Sequence, residues 1–562
     1  MFTNIFVSLA LAVPIWAAQQ AAPSSKAVHL EIRGHVVEFG GSQGIYDAEV
    51  TLERYEGPAV SSFVKRSSAG TAKTGADGSF AFSLESPGTY RVTVKKDGYG
   101  PAGGVFNRAN WTSAEISVDA DKPTGDVHFV LARPGEITGR VVDGDTEKPV
   151  PGMRALVLQH GYFRGQVRFM PGGEAVTDAE GRFAVSNLTP TDYVICLQSR
   201  IRDADELKRN PAIQGEARML TEFSEEDFKK VDQDYDVTYW PGGGDATDAI
   251  PVALGSGGQI DLGALTVNKV SKYRVRVSFI GEPCLPNERW LLSLEMPSNP
   301  MGERIGTAAC GRDVLIRGFA PGSYQLEVEG SARRGWTSFS IDDENLAIAV
   351  PVSRGVDIDG KVRVSEGTSR PDLQSMKIWL FPFHRALQNL PVAPDATGQF
   401  HIHRVPIRDF RLGINGVPKT HYLKEIRYNG HRLAGDTLAV DGNAHAHSIE
   451  IILGEKPAIV RGTVTDDDKP AHPAYAVLVR LSPNGSDAFS YDSGIQSLET
   501  DESGRFQFAG LAPGEYRLLA VSVDDKAQLD RPNTLGRLLG DAEKLSLGES
   551  QSQDVQLKLA RP

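Results

Sequence analysis

Four stretches of the chain are variants of one another: "TGADGSFAFSLESPGTYRVTV" from Thr74, "TDAEGRFAVSNLTPTDYVICL" from Thr177, "PDATGQFHIHRVPIRDFRLGI" from Pro394 and "TDESGRFQFAGLAPGEYRLLA" from Thr500. Self-similarity of this kind constrains a fold more than any local propensity, because one structural solution must serve every copy. In the last copy, Thr500 and Asp501 open a turn in which short side chains bond to the backbone ahead, and Gly504 supplies a positive φ. Phe506 and Phe508 then alternate with Arg505 and Gln507, the period of a half-buried strand. Leu511, Pro513 and Gly514 break that strand, and Tyr516, Leu518 and Ala520 resume the alternation. The two aromatic positions keep one spacing: Phe80 and Tyr90, Phe183 and Tyr193, Phe400 and Phe410, Phe506 and Tyr516 are each ten apart, and a degraded copy sets Val314 and Tyr324 at the same interval.

A second element precedes the complete copies. "EITGRVVDGDTEKPVPGMRALVLQ" from Glu136 and "AIVRGTVTDDDKPAHPAYAVLVRL" from Ala458 read strand, acidic turn, Pro, strand, and "IRGHVVEFGGSQGIYDAEVTLERY" from Ile32 keeps the plan without the Pro. Short strands with Gly, Pro and Asp punctuation predict an all-β chain, a tandem array of about five antiparallel β-sandwiches. The expected limits are 29–133, 134–270, 271–352, 353–455 and 456–562. The L-x-P-G-x-Y run resembles the tyrosine corner of immunoglobulin-like sandwiches, which casts Tyr90, Tyr193, Tyr324 and Tyr516 as structural tyrosines and leaves Phe410 without the hydroxyl. The G-x-V strand, acidic turn and T-D-x-x-G-x-F…L-x-P-G-x-Y run together resemble the carboxypeptidase regulatory-like domain, a transthyretin-like, carbohydrate-binding-like sandwich found in multi-module exported bacterial proteins. That resemblance implies a fold and an export route; it implies function poorly, since in carboxypeptidases the domain is the non-catalytic neighbour of the enzyme.

The second module holds the one stretch without strand patterning, "RDADELKRNPAIQGEARMLTEFSEEDFKKVDQDYDVTYWPGGG", where Ser224 and Asp227 predict the cap of a short helix through Lys230. Gly 58 and Pro 33 make about 16% of the 562 residues, above the roughly 12% of average usage and in keeping with a turn-rich β protein. The net charge of −12 shows no basic stripe, which argues against nucleic acid as a partner. At the start, the apolar run Ile5 to Ala18 resembles a secretory signal peptide over residues 1–18 that lacks the usual basic flank. It predicts an exported, periplasmic or extracellular protein without stable membrane insertion once the signal is removed.

Candidate chemistry is sparse. His35 and Glu38 in "HVVE" have H-x-x-E spacing but fall on opposite faces of a strand. "GGSQG" at Gly40 to Gly44 spells a nucleophile elbow but sits between antiparallel-type strands, where a hairpin loop is the better reading. Seven of twelve histidines lie between His384 and His447, with two H-x-H pairs, His401/His403 and His445/His447; a His-rich solvated sheet face is preferred to a metal site. Acidic turns at Asp143, Asp145 and Asp466 to Asp468 lack the closing Glu of an EF-hand. No cofactor or metal is called for. Candidate ligand contacts are aromatic: Tyr239 and Trp240 in "TYWPGGGD", and Trp379, which shares a strand face with Phe381 and Phe383 in "KIWLFPF". Of the three cysteines, Cys196 reads as a buried hydrophobe, and Cys284 with Cys310, at strand ends of one module, are expected to pair. The function expected is an exported, non-enzymatic multi-module binding or scaffold protein, with carbohydrate binding as one form of it and a polysaccharide or an envelope protein as partner; the alternative is a protein–protein adhesion or envelope-assembly array, and a hydrolase or metalloenzyme ranks below both.

Overall fold

The computed structural model describes residues 29–560 apart from 42, 57–64, 104–111, 122, 164–165, 200–217, 282–283, 286, 297–298, 331–332, 366–370, 383–390, 434, 443–445, 482–494, 528 and 530–531. The signal-like segment, Ser42, Phe383, His384 and His445 lie outside the described residues. The chain is all-β, and its hydrophobic side chains gather into five main cores that follow one another along the sequence, from Leu30–Leu131 to Ala458–Leu557.

Each core is enclosed by the same strand pattern. The opening strand pairs antiparallel with the strand carrying the first repeat aromatic and parallel with the closing strand. Thus Leu30–Glu38 lies between Ser79–Leu84 and Thr124–Ala132, and Gly135–Asp143 between Arg182–Leu188 and Gln259–Val267. Lys269–Gly281 lies between Val314–Phe319 and Leu346–Ser353, Val356–Val364 between Gln399–Val405 and His447–Gly454, and Ala458–Asp466 between Arg505–Leu511 and Ser552–Lys558. In the first, second, fourth and fifth modules the strand carrying the second aromatic belongs to the other sheet, as Gly514–Val521 does against Tyr475–Arg480; in the third, Arg334–Ile341 pairs with both Gly322–Glu329 and Leu346–Ser353 and joins the two layers into one sheet. A ten-residue interval is therefore the length of chain that leaves one layer, turns the corner and re-enters the core from the other.

The glycine of the opening strand explains how the first aromatic fits. Gly462 is the register partner of Phe506, and a Cβ there would stand 2.6 Å from the ring; Gly34 with Phe80, Gly139 with Phe183 and Gly360 with Phe400 repeat the arrangement. Only a residue without a side chain lets a phenyl ring lie across the strand beneath it. In the third module Val314 replaces the phenylalanine, and its register partner is Val277.

The turn residues are bonded as their chemistry dictates. Asp501 Oδ1 accepts from the N–H groups of Ser503 and Arg505, and Gly504 has φ +72. Buried Thr500 accepts from Ala474 N–H and donates to Ala471 O, tying the turn to the neighbouring layer; Thr74 and Thr177 do the same.

Two features depart from a simple row of modules. The stretch between the Cys196 strand and Trp240 leaves the second module to pair with the third: Met219–Leu220 adds to Val314–Phe319, and Asp232–Tyr235 adds to Lys269–Gly281. Between them runs the helix Glu225–Lys229, with the reciprocal Ser224–Asp227 cap expected from sequence. The path also closes on itself, because the fifth module packs against the first. His128 Nδ1 lies 2.6 Å from Glu499 Oε1, Arg33 pairs with Glu502, and Val523 joins Val37 and Phe39 beside Val130. Val523 opens the first of two further helices, Val523–Ala527 and Pro532–Gly540, which cover the outer face of Tyr475–Arg480 and Gly514–Val521. The expectation of helix in the second module alone is corrected accordingly. Leu535, Leu538, Leu539 and Ala542 have the helical spacing that would have shown it.

Candidate functional site

A cavity of about 620 Å³ opens where the donated segment crosses from the second module to the third. The strand Asp232–Tyr235 and residues Asp236 and Val237 form one wall, Gln198 and Ser199 another, and the corner Arg317 to Tyr324 of the third module forms the far side. The volume lies within the range of small-ligand sites, though the lining is more polar than most.

Each of its acidic side chains is held by a protein donor. Arg274 reaches Asp232 through both carboxylate oxygens at 2.8 and 3.0 Å. Buried Lys272 holds Asp236 Oδ1 at 2.9 Å. Ser199 Oγ donates to Asp234 Oδ1 at 2.7 Å, and Asp245 caps a short turn by accepting from Thr247 N–H and Oγ1. Tyr235 Oη donates to Asp143 Oδ2 at 2.8 Å; the tyrosine hydroxyl is pushed up to about 12 by burial and by that carboxylate. Asp143 is held at about 2 by the Tyr235 hydroxyl and by Thr146. Asp143 therefore serves as a turn cap and a tether for the donated segment, with both oxygens occupied by protein donors. At the cavity's inner edge Arg218 stacks over Phe319 and faces Glu303 at 3.5 Å. Burial raises the pKa of Glu303, and Arg218 partly opposes that rise. The cavity thus presents hydroxyl, amide and paired carboxylate groups in fixed positions.

The aromatic candidates are placed elsewhere or otherwise engaged. Tyr239 is fully buried among Leu156, Leu158, Val194 and Cys196, with its hydroxyl against the Cys196 thiol, so its expected role as a ligand contact is overturned: the ring fills a satellite core behind the sheet. Cys196 is buried as expected, its thiol pushed up to about 12. Trp240 is half-buried against the second core, and its backbone N–H donates to Ile195 O. Ile378 and Leu380 fill the fourth core, which turns Trp379 and Phe381 outward; the two rings meet edge to face at 5.2 Å and lie across Gly413, where a Cβ would touch both. Trp379 therefore lies on the outer sheet face of the fourth module, and the cavity was not signalled by any of the three.

The structural candidates have specific partners. The hydroxyls of Tyr90, Tyr193, Tyr324 and Tyr516 each donate to the carbonyl four residues back, at 2.6, 2.8, 2.7 and 2.6 Å. Phe410 occupies the equivalent buried slot without that bond. Cys284 and Cys310 form a disulfide with Cα atoms 5.8 Å apart.

No protein-family model matches the chain, and no curated protein does. Among solved structures, the TIE protein of Bacillus anthracis is similar at 9% identity and a TM-score of 0.16, over 73% of this chain and 68% of that one. The shaft pilin SpaA of Lactobacillus rhamnosus GG is similar at 10% identity and a TM-score of 0.17, over 43% of this chain and 98% of that one. GBS52, the minor pilin of Streptococcus agalactiae, is similar at 12% identity and a TM-score of 0.21, over 46% and 99%. Likeness at this level assigns neither partner nor activity.

Proposed function

We propose that this chain is an exported, non-enzymatic array of β-sandwich modules that holds a hydroxyl-rich ligand, a segment of polysaccharide, in the cavity between its second and third modules. One observation carries the reading: the acidic side chains lining the cavity are bound to Arg274, Ser199, Lys272 and a backbone turn. Carboxylates held in this way preset hydrogen-bonding positions at little entropic cost on binding. General acid–base or nucleophilic work instead needs a group free to give or take a proton at the substrate. Export rests on the apolar run at the start of the chain, and no helix among the described residues is long and apolar enough to cross a membrane.

Ser323 is exposed at the cavity wall, on the strand Gly322–Glu329. A tryptophan there fills the cavity without entering the core. Binding of the full chain to a panel of soluble oligosaccharides is expected, with loss of binding in Ser323→Trp. Equal binding by the variant removes the cavity from the reading, hydrolysis of a bound glycan overturns the non-enzymatic assignment, and binding only to envelope proteins replaces the ligand class.

A further inference from the structure

The fourth module carries a second constellation, remote from the cavity in sequence and on a different sheet. Gln399–Val405 is the outermost strand of its sheet, so its outward face is open on one side. On that face His401 and His403 stand two residues apart, which places both rings on the same side of the strand. The rings are nearly parallel, 11° apart in plane with centroids separated by 6.2 Å. Across the ladder, Asp359 is the register partner of His401, and its carboxylate lies 2.8 Å from His401 Nδ1. Asp357 lies 3.5 Å from His403 Nδ1, while also accepting the Arg404 N–H at 2.9 Å.

We propose that His401 and His403 form a surface chelate for a divalent transition-metal cation that favours imidazole, Cu²⁺ above all. A carboxylate behind Nδ1 fixes that nitrogen as the donor and leaves the Nε2 lone pair facing away, the same outer-shell arrangement that orients metal-ligating histidines and raises their basicity. Here His401 has the full arrangement, and at His403 the second carboxylate stands farther off, at 3.5 Å. A metal at about 2.0–2.1 Å from each nitrogen needs the two Nε2 atoms within roughly 4 Å of one another, closer than the ring separation. Both side chains are more than half exposed, at 56% and 68%, so an inward tilt of the rings meets no packing. Among the described residues no group of three His, Cys, Asp or Glu converges with metal-holding geometry; water completes the coordination. A two-imidazole site of this kind ranks cations by intrinsic affinity, with Cu²⁺ ahead of Ni²⁺ and Zn²⁺ and far ahead of Mn²⁺.

Titration of the full chain, free of any polyhistidine tag, with Cu²⁺ followed by calorimetry and electron paramagnetic resonance tests this. The expected result is a site whose spectrum shows nitrogen ligation and whose affinity falls about tenfold or more in His401→Ala or His403→Ala, and by about tenfold in Asp359→Asn. His431→Ala, a change at an exposed histidine of the same module, should leave that affinity unaltered. Thermal midpoints of the variants matching the parent show that folding is intact. An unaltered Cu²⁺ affinity in the His401→Ala/His403→Ala double variant, Mn²⁺ binding as tight as Cu²⁺, or no binding at all overturns the proposal.

Discussion

The fifth and third modules have the same strand plan and hold it in different ways. In the fifth, Phe506 lies over Gly462, Thr500 and Asp501 tie down the turn, and Tyr516 closes the corner. All of these contacts come from the repeat itself. In the third, Val314 faces Val277, and the turn before it, "CGRDV", has neither the Thr nor the Asp at the repeat positions. Only the corner bond from Tyr324 remains. The third module carries instead a disulfide, a buried Arg333–Glu288 ion pair at 2.6 Å and two strands supplied by the second module. A shared topology can thus be held by packing written into the repeat or by links that reach outside it. The second route makes a module dependent on its neighbour.

Separating the modules should give the largest difference. Residues 456–562 alone should unfold cooperatively in urea, whereas 271–352 alone should show no cooperative transition. Extending the latter to 218–352 restores both donated strands and should restore the transition. Equal midpoints for 271–352 and 218–352 would break the comparison, since the donated strands would then be decoration. Within the full chain, replacing Cys284 and Cys310 by Ser opens a link spanning 26 residues, and the third module should lose about 3–4 kcal/mol on the chain-entropy account. The fifth module's transition should stay in place in the same experiment.

A smaller effect tests what the two modules share. Tyr516→Phe and Tyr324→Phe each remove a buried hydroxyl and leave a carbonyl, of Ala512 or Ala320, without its donor. Each should cost its own module about 1–3 kcal/mol, read as a shift in the urea midpoint. Similar costs mean that the corner works alike whether or not the rest of the repeat survives. A neutral Tyr324→Phe would mean that the disulfide has taken over its role.

Much of the fold was legible because the repeat records local chemistry. The ten-residue interval, the Thr–Asp turn and the corner tyrosines all act within one module, and the helix cap at Ser224 is a four-residue signal. The glycine beneath each phenylalanine was visible in the sequence, but its meaning lay in register, which pairs Gly34 with Phe80 across 46 positions. What was illegible depends on contacts between modules. Met219–Leu220 is two residues long, too short to show a period of two, and its partner lies almost a hundred residues on. Tyr239 looked available because it adjoins a glycine turn; only the fold shows it facing Leu156 and Cys196. The cavity is polar and was missed by a search led by aromatics. Closure of the first module on the fifth is carried by His128, Arg33 and Phe39, which individually read as ordinary strand residues.

That closure supplies the smallest expected effect and the sharpest contrast with the third module, because the fifth meets its neighbour through side chains rather than strands. Glu499 is the central group, accepting from Tyr475 Oη at 2.8 Å while facing His128. His128 in turn packs against the His35 and His472 rings. Burial alone would raise the Glu499 pKa, but the His128 ring, the Tyr475 hydroxyl and the nearby His472 carry it below the usual carboxylate value. A depressed carboxylate contributes stability that is present above its unfolded value and disappears as pH falls through its folded one. The contact between first and fifth modules should therefore weaken below about pH 4.5. Glu499→Gln should reproduce part of that loss at neutral pH, by no more than about 1 kcal/mol for a partly exposed pair. Fluorescent labels on Ser117→Cys and Ser503→Cys, both exposed, report the separation of the two modules. Energy transfer that decreases in acid, and decreases less steeply in Glu499→Gln, supports a side-chain clasp. Transfer insensitive to both would show that the apolar contact of Val523 with Val37 and Phe39 holds the ends together without it.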